Sequence, residues 1–542
     1  MIKLLNNNKL MFFLLMILAV IVSVVLKNEN FFDIANYHYY NPWAFLNGRI
    51  GYDIVPASYL SFLNPLLDLP RYFTIVYLNE HINWFYAING LWFGGLLIVL
   101  YKILRLFFDT KKLQGCIWVI LALVIAITGR MTWYQVGAST NEIIIAFIDL
   151  WGLYFLLSAL QDKKNQKLSN FVWAGLILGI GMGLKLTSVT VCVAAGLSLI
   201  IGFKWLSRPI KFISFFALFG MIGFLLIDGW WMYKMWSLYD NPFFPLFNNI
   251  FGSNYFDKST LSTSNLMPSW SQLIICPYLS MGGEVCNGEG VSSDYRLPLA
   301  YTIAVIWLIY FLVRGKIKYY YQKKPMMFFF YLFLLFDYLL WAKSLGVQHY
   351  FVVIEVLISV LVVQTCEQLC NKKYKLISYG MTAVLALLLL SVPWTCHSFG
   401  NLQGRSKVID VEPIKLPDNT LIKMYNLPLA GLLPEIAKYN DNFRGMGYSQ
   451  FIDVQPTTKA GIGEENKFRE IRDELEKQYD NQILIFRLSA NPMQRQIILN
   501  NMQNDLLGKK CRRLKNSFDP IFGWSIMICI PKDWKDVSIS RK

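Results

Sequence analysis

Long apolar stretches alternate with short polar segments through the first 395 residues of the chain. Eleven of these stretches come close to the length that an α-helix needs to cross the hydrocarbon core of a bilayer. The pattern therefore predicts about eleven transmembrane helices, and only a short polar break separates the fifth from the sixth. The predicted spans are 10–26, 84–104, 116–129, 142–160, 170–186, 187–203, 211–230, 298–313, 326–342, 350–366 and 376–395.

Composition supports a membrane protein. Of the 542 residues, 55% are hydrophobic and only 16% are charged, and the mean hydropathy is +0.39. Soluble domains carry about 25% charged residues. The first apolar stretch follows Lys3 and Lys9, as in a signal peptide, but no small-residue cleavage site comes after it. We therefore expect an uncleaved signal anchor.

The formal net charge of +16 is distributed as a topology signal. If the helices alternate, the lysine-rich and arginine-rich segments all fall on one side of the membrane, which the positive-inside rule assigns to the cytoplasm. These segments are the N-terminus, 102–112, 163–167, 204–211, 314–324 and 372–375. This distribution argues against nucleic acid as a partner, although anionic lipids would be attracted. It places the N-terminus in the cytoplasm and the C-terminus outside.

Two long loops and the C-terminal tail then face outward. The loops are 27–83 and 231–297, and they belong to a predicted transmembrane domain, 1–395. The tail, 396–542, reads as a small extracytoplasmic α/β domain, with a helix at 464–479 and buried strands at 482–488 and 525–531. An oxidising compartment would permit disulfides at Cys276–Cys286 and Cys511–Cys529, and reduced thiols are the alternative.

The first loop carries a candidate base. Asp33 lies about seven residues beyond the first span, near the expected level of the outer headgroups. If 31–40 is helical, Asp33, Tyr37 and Tyr40 share one face, with His38 beside it. A partly desolvated carboxylate can act as a general base. The alternative is a helix-start aspartate beside aromatic residues that anchor the chain in the membrane interface.

Other polar residues lie at the predicted outer helix ends. In the first loop, Arg49 could pair with phosphate oxygens through its planar guanidinium group, or its side chain could extend to the membrane interface. Lys185 is at membrane depth, where a cation faces a cavity, binds a partner or extends to the interface. It follows Gly175, Gly179 and Gly183, whose spacing predicts a close-packing helix face. The further candidates are Asp53, Asn141, Glu142, Asp294, Arg296 and His349, with helix capping as the alternative for Asn141 and Glu142.

Several segments resemble a known superfamily. They are D-I-A-N-Y-H-Y-Y-N-P-W-A-F-L-N-G-R (33–49), G-L-K-L-T (183–187), D-N-P-F-F-P-L-F-N (240–248) and V-Q-H-Y-F (347–351). Together with the long first outer loop, they are similar to the GT-C glycosyltransferases, and in particular to poorly characterised bacterial members. The resemblance implies a mainly α, polytopic transmembrane helix bundle with a small extracytoplasmic α/β domain.

The resemblance also implies an activity. It is the inverting transfer of a sugar from a polyprenyl-phosphate donor to an envelope glycan, lipid or protein acceptor, outside the bacterial cytoplasmic membrane. Asp33 would be catalytic, and no metal or cofactor would be needed. The implied substrate-binding residues are Tyr37, His38, Arg49, Asp53, Asn141, Glu142, Lys185, Asp294, Arg296 and His349. An envelope polysaccharide polymerase or ligase, a transporter of lipid-linked glycans and a non-catalytic assembly protein are the alternatives.

Overall fold

A computed structural model describes residues 2–256, 268–279, 294–344, 346–370, 400–426, 428–448, 467–489, 491–518 and 524–534. The chain divides into two compact units. The helical unit comprises Met1–Asn28, Tyr86–Gly229 and Thr263–Phe399, and the mixed unit comprises Glu29–Phe85, Trp230–Ser262 and Gly400–Lys542. The predicted domains split the chain once, at 395/396. Packing instead groups the first long loop with the C-terminal segment.

The main helices are named α1 to α11 in chain order. They are α1 Asn8–Leu26, α2 Ile82–Phe107, α3 Leu113–Ile127, α4 Arg130–Gln135, α5 Glu142–Gln161, α6 Leu168–Leu184, α7 Val189–Ile201, α8 Pro209–Tyr239, α9 Arg296–Val313, α10 Pro325–Lys343 and α11 Val352–Cys370. Short helices at Ile2–Asn6, Gln272–Leu279 and Ile317–Lys323 also belong to the helical unit.

Seven helices within the described residues are long and apolar enough to cross a membrane. Six are α1, α2, α5, α8, α9 and α10, and the seventh, Gln348–Gln368, includes most of α11. Three further predicted spans correspond to the shorter apolar helices α3, α6 and α7, which have 15, 17 and 13 residues. The predicted span 376–395 lies outside the described residues. The chain is therefore a multi-pass membrane protein.

Small residues allow α6 and α8 to pack closely, as the glycine spacing predicted. A side chain on Gly175 would overlap the carbonyl oxygen of Phe216, and one on Gly179 would overlap that of Gly220. Because lipid supplies no hydrophobic drive for helix association, such backbone contact and its dispersion energy hold membrane helices together. This packing fixes the C-terminal end of α6, where Lys185 follows.

The mixed unit contains a five-stranded sheet. Its strands are β1 Thr420–Tyr425, β2 Phe443–Tyr448, β3 Asn481–Ser489, β4 Lys509–Arg513 and β5 Trp524–Pro531, in the spatial order β2-β1-β3-β5-β4. β1 is parallel to β2 and β3, whereas β5 is antiparallel to β3 and β4. The helices of this unit are Phe31–Asp33, Tyr40–Leu46, Leu69–Leu78, Asn248–Phe251, Leu432–Ala437, Lys467–Gln478, Pro492–Asn501 and Gln503–Leu506.

The predicted elements of the C-terminal segment agree with this sheet. The strands expected at 482–488 and 525–531 are β3 and β5, and the helix expected at 464–479 is Lys467–Gln478. Cys511 and Cys529 face each other on β4 and β5 and form a disulfide, with Cα atoms 4.0 Å apart. The other predicted pair includes Cys286, which lies outside the described residues.

Candidate functional site

Asp33 is held at the start of the first loop by a side-chain cap. The Asn30 side chain accepts hydrogen bonds from the backbone N–H groups of Phe32 and Asp33, at 3.1 and 3.2 Å, and donates to Asp33 Oδ2 at 2.8 Å. A π-helical turn, Ile34–His38, follows. Its spacing is one residue wider than that of an α-helix, and such turns are frequent at functional sites. The side-chain face expected for a regular helix at 31–40 is therefore shifted after Asp33.

His38 and Tyr37 are buried in the same loop. The Nδ1 atom of His38 lies 2.6 Å from Asp68 Oδ1, and the His38 ring lies 4.0 Å from the Tyr37 ring, centroid to centroid. The carboxylate fixes the orientation of the imidazole. The same arrangement occurs in general-base, metal-binding and purely structural histidines, so it does not by itself assign a role to His38.

Arg49 and Asp53 form a buried ion pair. Arg49 Nε and Nη2 donate to the two Asp53 carboxylate oxygens at 2.8 and 2.7 Å, and Nη2 also donates to the Phe443 carbonyl at 2.8 Å. Asp53 further accepts hydrogen bonds from the Tyr40 hydroxyl and the Gly445 N–H, at 2.9 and 2.7 Å. The pair thus ties the first loop to strand β2. These contacts occupy the guanidinium face that the sequence had suggested for phosphate.

The environment of this pair shifts two pKa values. Burial, followed by the charge of Asp53 and the hydrogen bond to it, raises the pKa of Tyr40 well above its ordinary value. Burial alone would lower the pKa of Arg49, but the hydrogen bonds and charge of Asp53 raise it overall. Tyr40 therefore stays a neutral donor and Arg49 stays charged at physiological pH.

In the helical unit, three predicted residues come together. The Lys185 ammonium group forms an ion pair with the Glu142 carboxylate, the first residue of α5, and lies 4.8 Å from the centre of the Tyr350 ring. His349 also interacts electrostatically with Glu142. Asn141, the fourth predicted residue here, directly precedes Glu142 and is buried. We refer to the cavity that Glu142, Lys185 and Tyr350 line as the lysine cavity.

A break between α6 and α7 places Lys185 in this cavity. The helix α6 ends at Leu184, Lys185 has extended backbone angles, and a 3-10 turn at Leu186–Ser188 leads into α7. The break lies between two short helices, α6 and α7. Lys185 is therefore surrounded by helices of this unit, and its side chain is mostly buried. A cation in this position requires a partner, and Glu142 supplies one.

Two acidic residues that were not predicted as site residues from the sequence lie in the same cavity. Asp149 and Asp337 are both fully buried and line it, together with Ser188 and Thr190. Both carboxyl groups fall inside predicted membrane spans, where ionisable residues are rare and are associated with function. An acidic residue inside a predicted span was therefore the feature of the sequence that could have identified both residues.

A second cavity contains Arg296 and Asp294. Arg296 Nη1 donates to both Asp294 carboxylate oxygens, at 3.1 and 2.9 Å, and Nη2 donates to the carbonyl and hydroxyl groups of Thr128. Glu355 lines the same cavity and accepts hydrogen bonds from the backbone N–H groups of Met131 and Thr132, at 3.1 and 2.7 Å. Glu355 is another acidic residue that was not predicted as a site residue from the sequence.

The predicted residues thus fall into three groups. Glu142, Lys185 and His349 interact around the lysine cavity, with Asn141 next to them. Asp294 and Arg296 line the second cavity, and Trp341 borders both cavities. The remaining predicted residues, Asp33, Tyr37, His38, Arg49 and Asp53, belong to the mixed unit.

Comparison with known proteins supports the fold assignment. Residues 79–231 match the family model described as dolichyl-phosphate-mannose-protein mannosyltransferase. The chain is similar to the structure of ArnT from Cupriavidus metallidurans bound to undecaprenyl phosphate, with a TM-score of 0.51, 12% identity, and 96% of this chain and 98% of that chain covered. No curated protein matches the chain.

A second solved structure is the archaeal oligosaccharyltransferase AglB from Archaeoglobus fulgidus, in complex with an inhibitory peptide and a dolichol-phosphate. Here the TM-score is 0.44, the identity is 12%, and the alignment covers 97% of this chain and 77% of that chain.

The chain has the membrane fold of the GT-C glycosyltransferases, since its likeness to ArnT extends over nearly the full length of both chains. Within that fold, residues 79–231 are similar to the mannosyltransferase family model. The predicted fold class, a polytopic helix bundle with a small α/β part, and the predicted GT-C resemblance are both confirmed.

Proposed function

We propose that the protein is a membrane glycosyltransferase that takes a sugar from a polyprenyl-phosphate donor. The acceptor would be a glycan, a lipid or a protein of the cell envelope, on the extracytoplasmic face of the bacterial cytoplasmic membrane. The GT-C fold and the mannosyltransferase match at 79–231 support this class. The observation that carries the proposal is the recessed Lys185, held by Glu142 in the lysine cavity.

Lys185 is the residue that we assign to the donor phosphate. In the ion pair, the single positive charge of the Lys185 ammonium group is balanced by the single negative charge of the Glu142 carboxylate. A lipid phosphate would offer the ammonium group further oxygen partners, and transfer of the sugar increases the negative charge on that phosphate. A cation fixed in a poorly hydrated site stabilises such developing charge strongly. His349, which interacts with Glu142, would support the same charge when protonated.

Arg296 is less suited to this role. Its Nη1 atom is bound to both oxygens of Asp294, and its Nη2 atom is bound to Thr128. A phosphate would have to displace both Asp294 and Thr128 from Arg296, whereas the hydrogen bond of the Lys185 ammonium group is to Glu142. We therefore assign Arg296 and Asp294 to shaping the second cavity rather than to holding the donor.

Asp33 is our proposed catalytic base. The acceptor hydroxyl oxygen would form a bond to the anomeric carbon of the sugar, and the bond from that carbon to the phosphate oxygen would break. The electron pair would leave with the phosphate, and Asp33 would take the hydroxyl proton. A single displacement of this kind inverts the anomeric configuration. The scheme requires only this chain's side chains and the two substrates.

Binding of undecaprenyl phosphate to the detergent-solubilised full chain tests the assignment of Lys185. We expect Lys185→Ala to weaken binding at least about tenfold, since a charge-assisted contact contributes about 1.5–3 kcal/mol. Lys343→Ala is the matched control, because Lys343 contacts the Pro268 carbonyl and the Trp270 ring instead of a carboxylate. Equal affinities for the wild type and Lys185→Ala would reject the assignment.

Product analysis separates single transfer from the polymerase alternative. Membranes that contain the protein would be incubated with a polyprenyl-phosphate sugar and an envelope extract, and the length of the added glycan would be measured. A product extended by one sugar supports the proposed transferase. A ladder of longer products would instead indicate polymerisation.

A further inference from the structure

The lysine cavity carries more negative than positive groups. Its lining includes three carboxyl groups, from Glu142, Asp149 and Asp337, and one ammonium group, from Lys185. The ammonium group is paired with Glu142. The two aspartates therefore have no cation among the described lining residues to balance them.

Hydroxyl groups lie beside both aspartates. The Ser188 hydroxyl is within donating distance of both Asp149 oxygens, at 2.8 and 3.0 Å. The Thr190 hydroxyl lies beside the Asp337 side chain and donates to the Thr187 carbonyl at 3.4 Å. Donors directed at a carboxylate stabilise its charge. Two ionised carboxylates among membrane helices are costly unless an opposite charge lies between or beside them.

The cavity also presents acceptor atoms that the described residues leave unmatched. Asp337 is only 2% exposed, and its Oδ1 atom has no hydrogen-bond partner among the described residues. Glu142 is 5% exposed, and its Oε2 atom also has no hydrogen-bond partner among the described residues. A buried acceptor without a partner is costly, so such atoms indicate an occupant. Both unmatched atoms are carboxylate oxygens, and the occupant must therefore be positively charged or a hydrogen-bond donor.

The local backbone suits a small cation. The break between α6 and α7 brings the hydroxyl oxygens of Ser188 and Thr190 to the level of Asp149 and Asp337. Interrupted helices supply oxygen ligands to monovalent cations in membrane transporters. Two carboxylates and two hydroxyls provide four ligand groups, whereas Ca²⁺ takes 6–8 oxygen ligands and Mg²⁺ requires a near-ideal octahedron. These four ligand groups do not complete the coordination shell of Ca²⁺ or Mg²⁺, and the interrupted helix favours a monovalent cation.

We propose that Asp149, Asp337, Ser188 and Thr190 form a binding site for a small monovalent cation, with Na⁺ as the probe. The cation would offset one of the two aspartate charges beside it and leave Lys185 and Glu142 to pair with each other or with a substrate. It would also link α5, which carries Asp149, and α10, which carries Asp337, to the turn and start of α7 that carry Ser188 and Thr190. This role does not depend on sugar transfer.

Thermal unfolding of the detergent-solubilised full chain tests the site. Na⁺ would be replaced stepwise by choline at constant ionic strength and pH, and the apparent Tm would be recorded for each mixture. We expect Na⁺ to raise the wild-type Tm by about 2–4 °C with saturation, because a ligand that binds only the folded state stabilises it. The double variant Asp149→Asn/Asp337→Asn should show no Na⁺ dependence.

Two further variants complete the design. Glu367→Gln removes a carboxyl group at the far end of α11 and should keep the full wild-type response to Na⁺. Ser188→Ala removes one ligand while leaving both aspartates, and we expect it to require at least about threefold more Na⁺ for the half-maximal shift. It also tests the site if the double variant does not fold.

Coincident Na⁺ and choline curves for the wild type would overturn the proposal and show that protons alone neutralise the aspartates. A wild-type response that persists in the double variant would also overturn it, because the cation would then bind elsewhere. Neither result would bear on the donor-phosphate assignment, which is tested separately by binding of undecaprenyl phosphate to the Lys185→Ala variant.

Discussion

Lys185 and Glu142 form an ion pair that connects the break between α6 and α7 to the first residue of α5. The two residues are 43 positions apart in the chain, and both are largely buried. Each was a helix-end candidate with an ordinary explanation of its own, capping for Glu142 and extension to the interface for Lys185. The pair shows that neither explanation is sufficient.

A double-mutant cycle measures this pair. We expect Lys185→Met and Glu142→Gln each to destabilise the protein by about 3 kcal/mol, because removal of one partner leaves the other charge buried and unpaired. The double variant should be less destabilised than the sum of the two. Unfolding in detergent gives the four stabilities, and strict additivity would show that the two groups do not interact.

Asp33→Asn should abolish sugar transfer from a polyprenyl-phosphate donor while leaving expression unchanged. The amide keeps the shape of the side chain but cannot accept the hydroxyl proton, and general-base catalysis contributes about 10²–10⁴-fold. Transfer is measured in membranes at matched protein levels. Glu80→Gln, which alters an exposed acid of the same unit, is the control and should remain active. Full activity of Asp33→Asn would exclude the residue as the base.

Asp53→Asn tests the alternative view of the first loop, in which Arg49 and Asp53 are structural. It should lower stability by about 3 kcal/mol, since it leaves the Arg49 guanidinium buried without its charge partner. The double variant Arg49→Met/Asp53→Asn should recover part of that loss. Binding of undecaprenyl phosphate, measured at a temperature where the variants are folded, should match that of the wild type. Weaker binding by folded variants would return Arg49 to the list of phosphate ligands.

The disulfide between Cys511 and Cys529 should stabilise the sheet of the mixed unit. It closes a loop with a sequence separation of 18, for which the chain-entropy model gives about 3 kcal/mol. Cys511→Ser/Cys529→Ser should therefore lower the apparent Tm, and a reductant should lower the Tm of the wild type more than that of the double variant. A double variant as stable as the oxidised wild type would contradict this expectation.

Tag accessibility tests the predicted orientation. An epitope inserted in the exposed turn Lys163–Asn165 should be reached by antibody only after the cells are permeabilised, whereas a C-terminal epitope should be reached in intact spheroplasts. The lysine-rich and arginine-rich loops carry this prediction through the positive-inside rule. The opposite pattern would invert the topology and move the proposed chemistry to the cytoplasmic face.

Local patterns in the sequence predicted most of the fold. Apolar length alone located the described membrane helices, and the glycine spacing identified the packed face of α6. The shared face of Asp33, Tyr37 and Tyr40 depended on a regular helix at 31–40, and the π-helical turn at Ile34–His38 changes that side-chain spacing. Nothing in the residue types signals that turn, because its geometry depends on the surrounding packing.

The site followed a different rule. Sequence chemistry selected Glu142, Lys185 and His349 independently, and only the tertiary structure showed that they interact across three separate segments. It also showed Arg49 bound by Asp53 and Arg296 bound by Asp294, whereas the sequence had left both guanidinium groups open to phosphate. The physical reason is that a span is determined by transfer of its own residues into lipid, which is a local quantity. The partner of a buried charge is determined by helix packing, which brings residues far apart in the chain within a few ångströms.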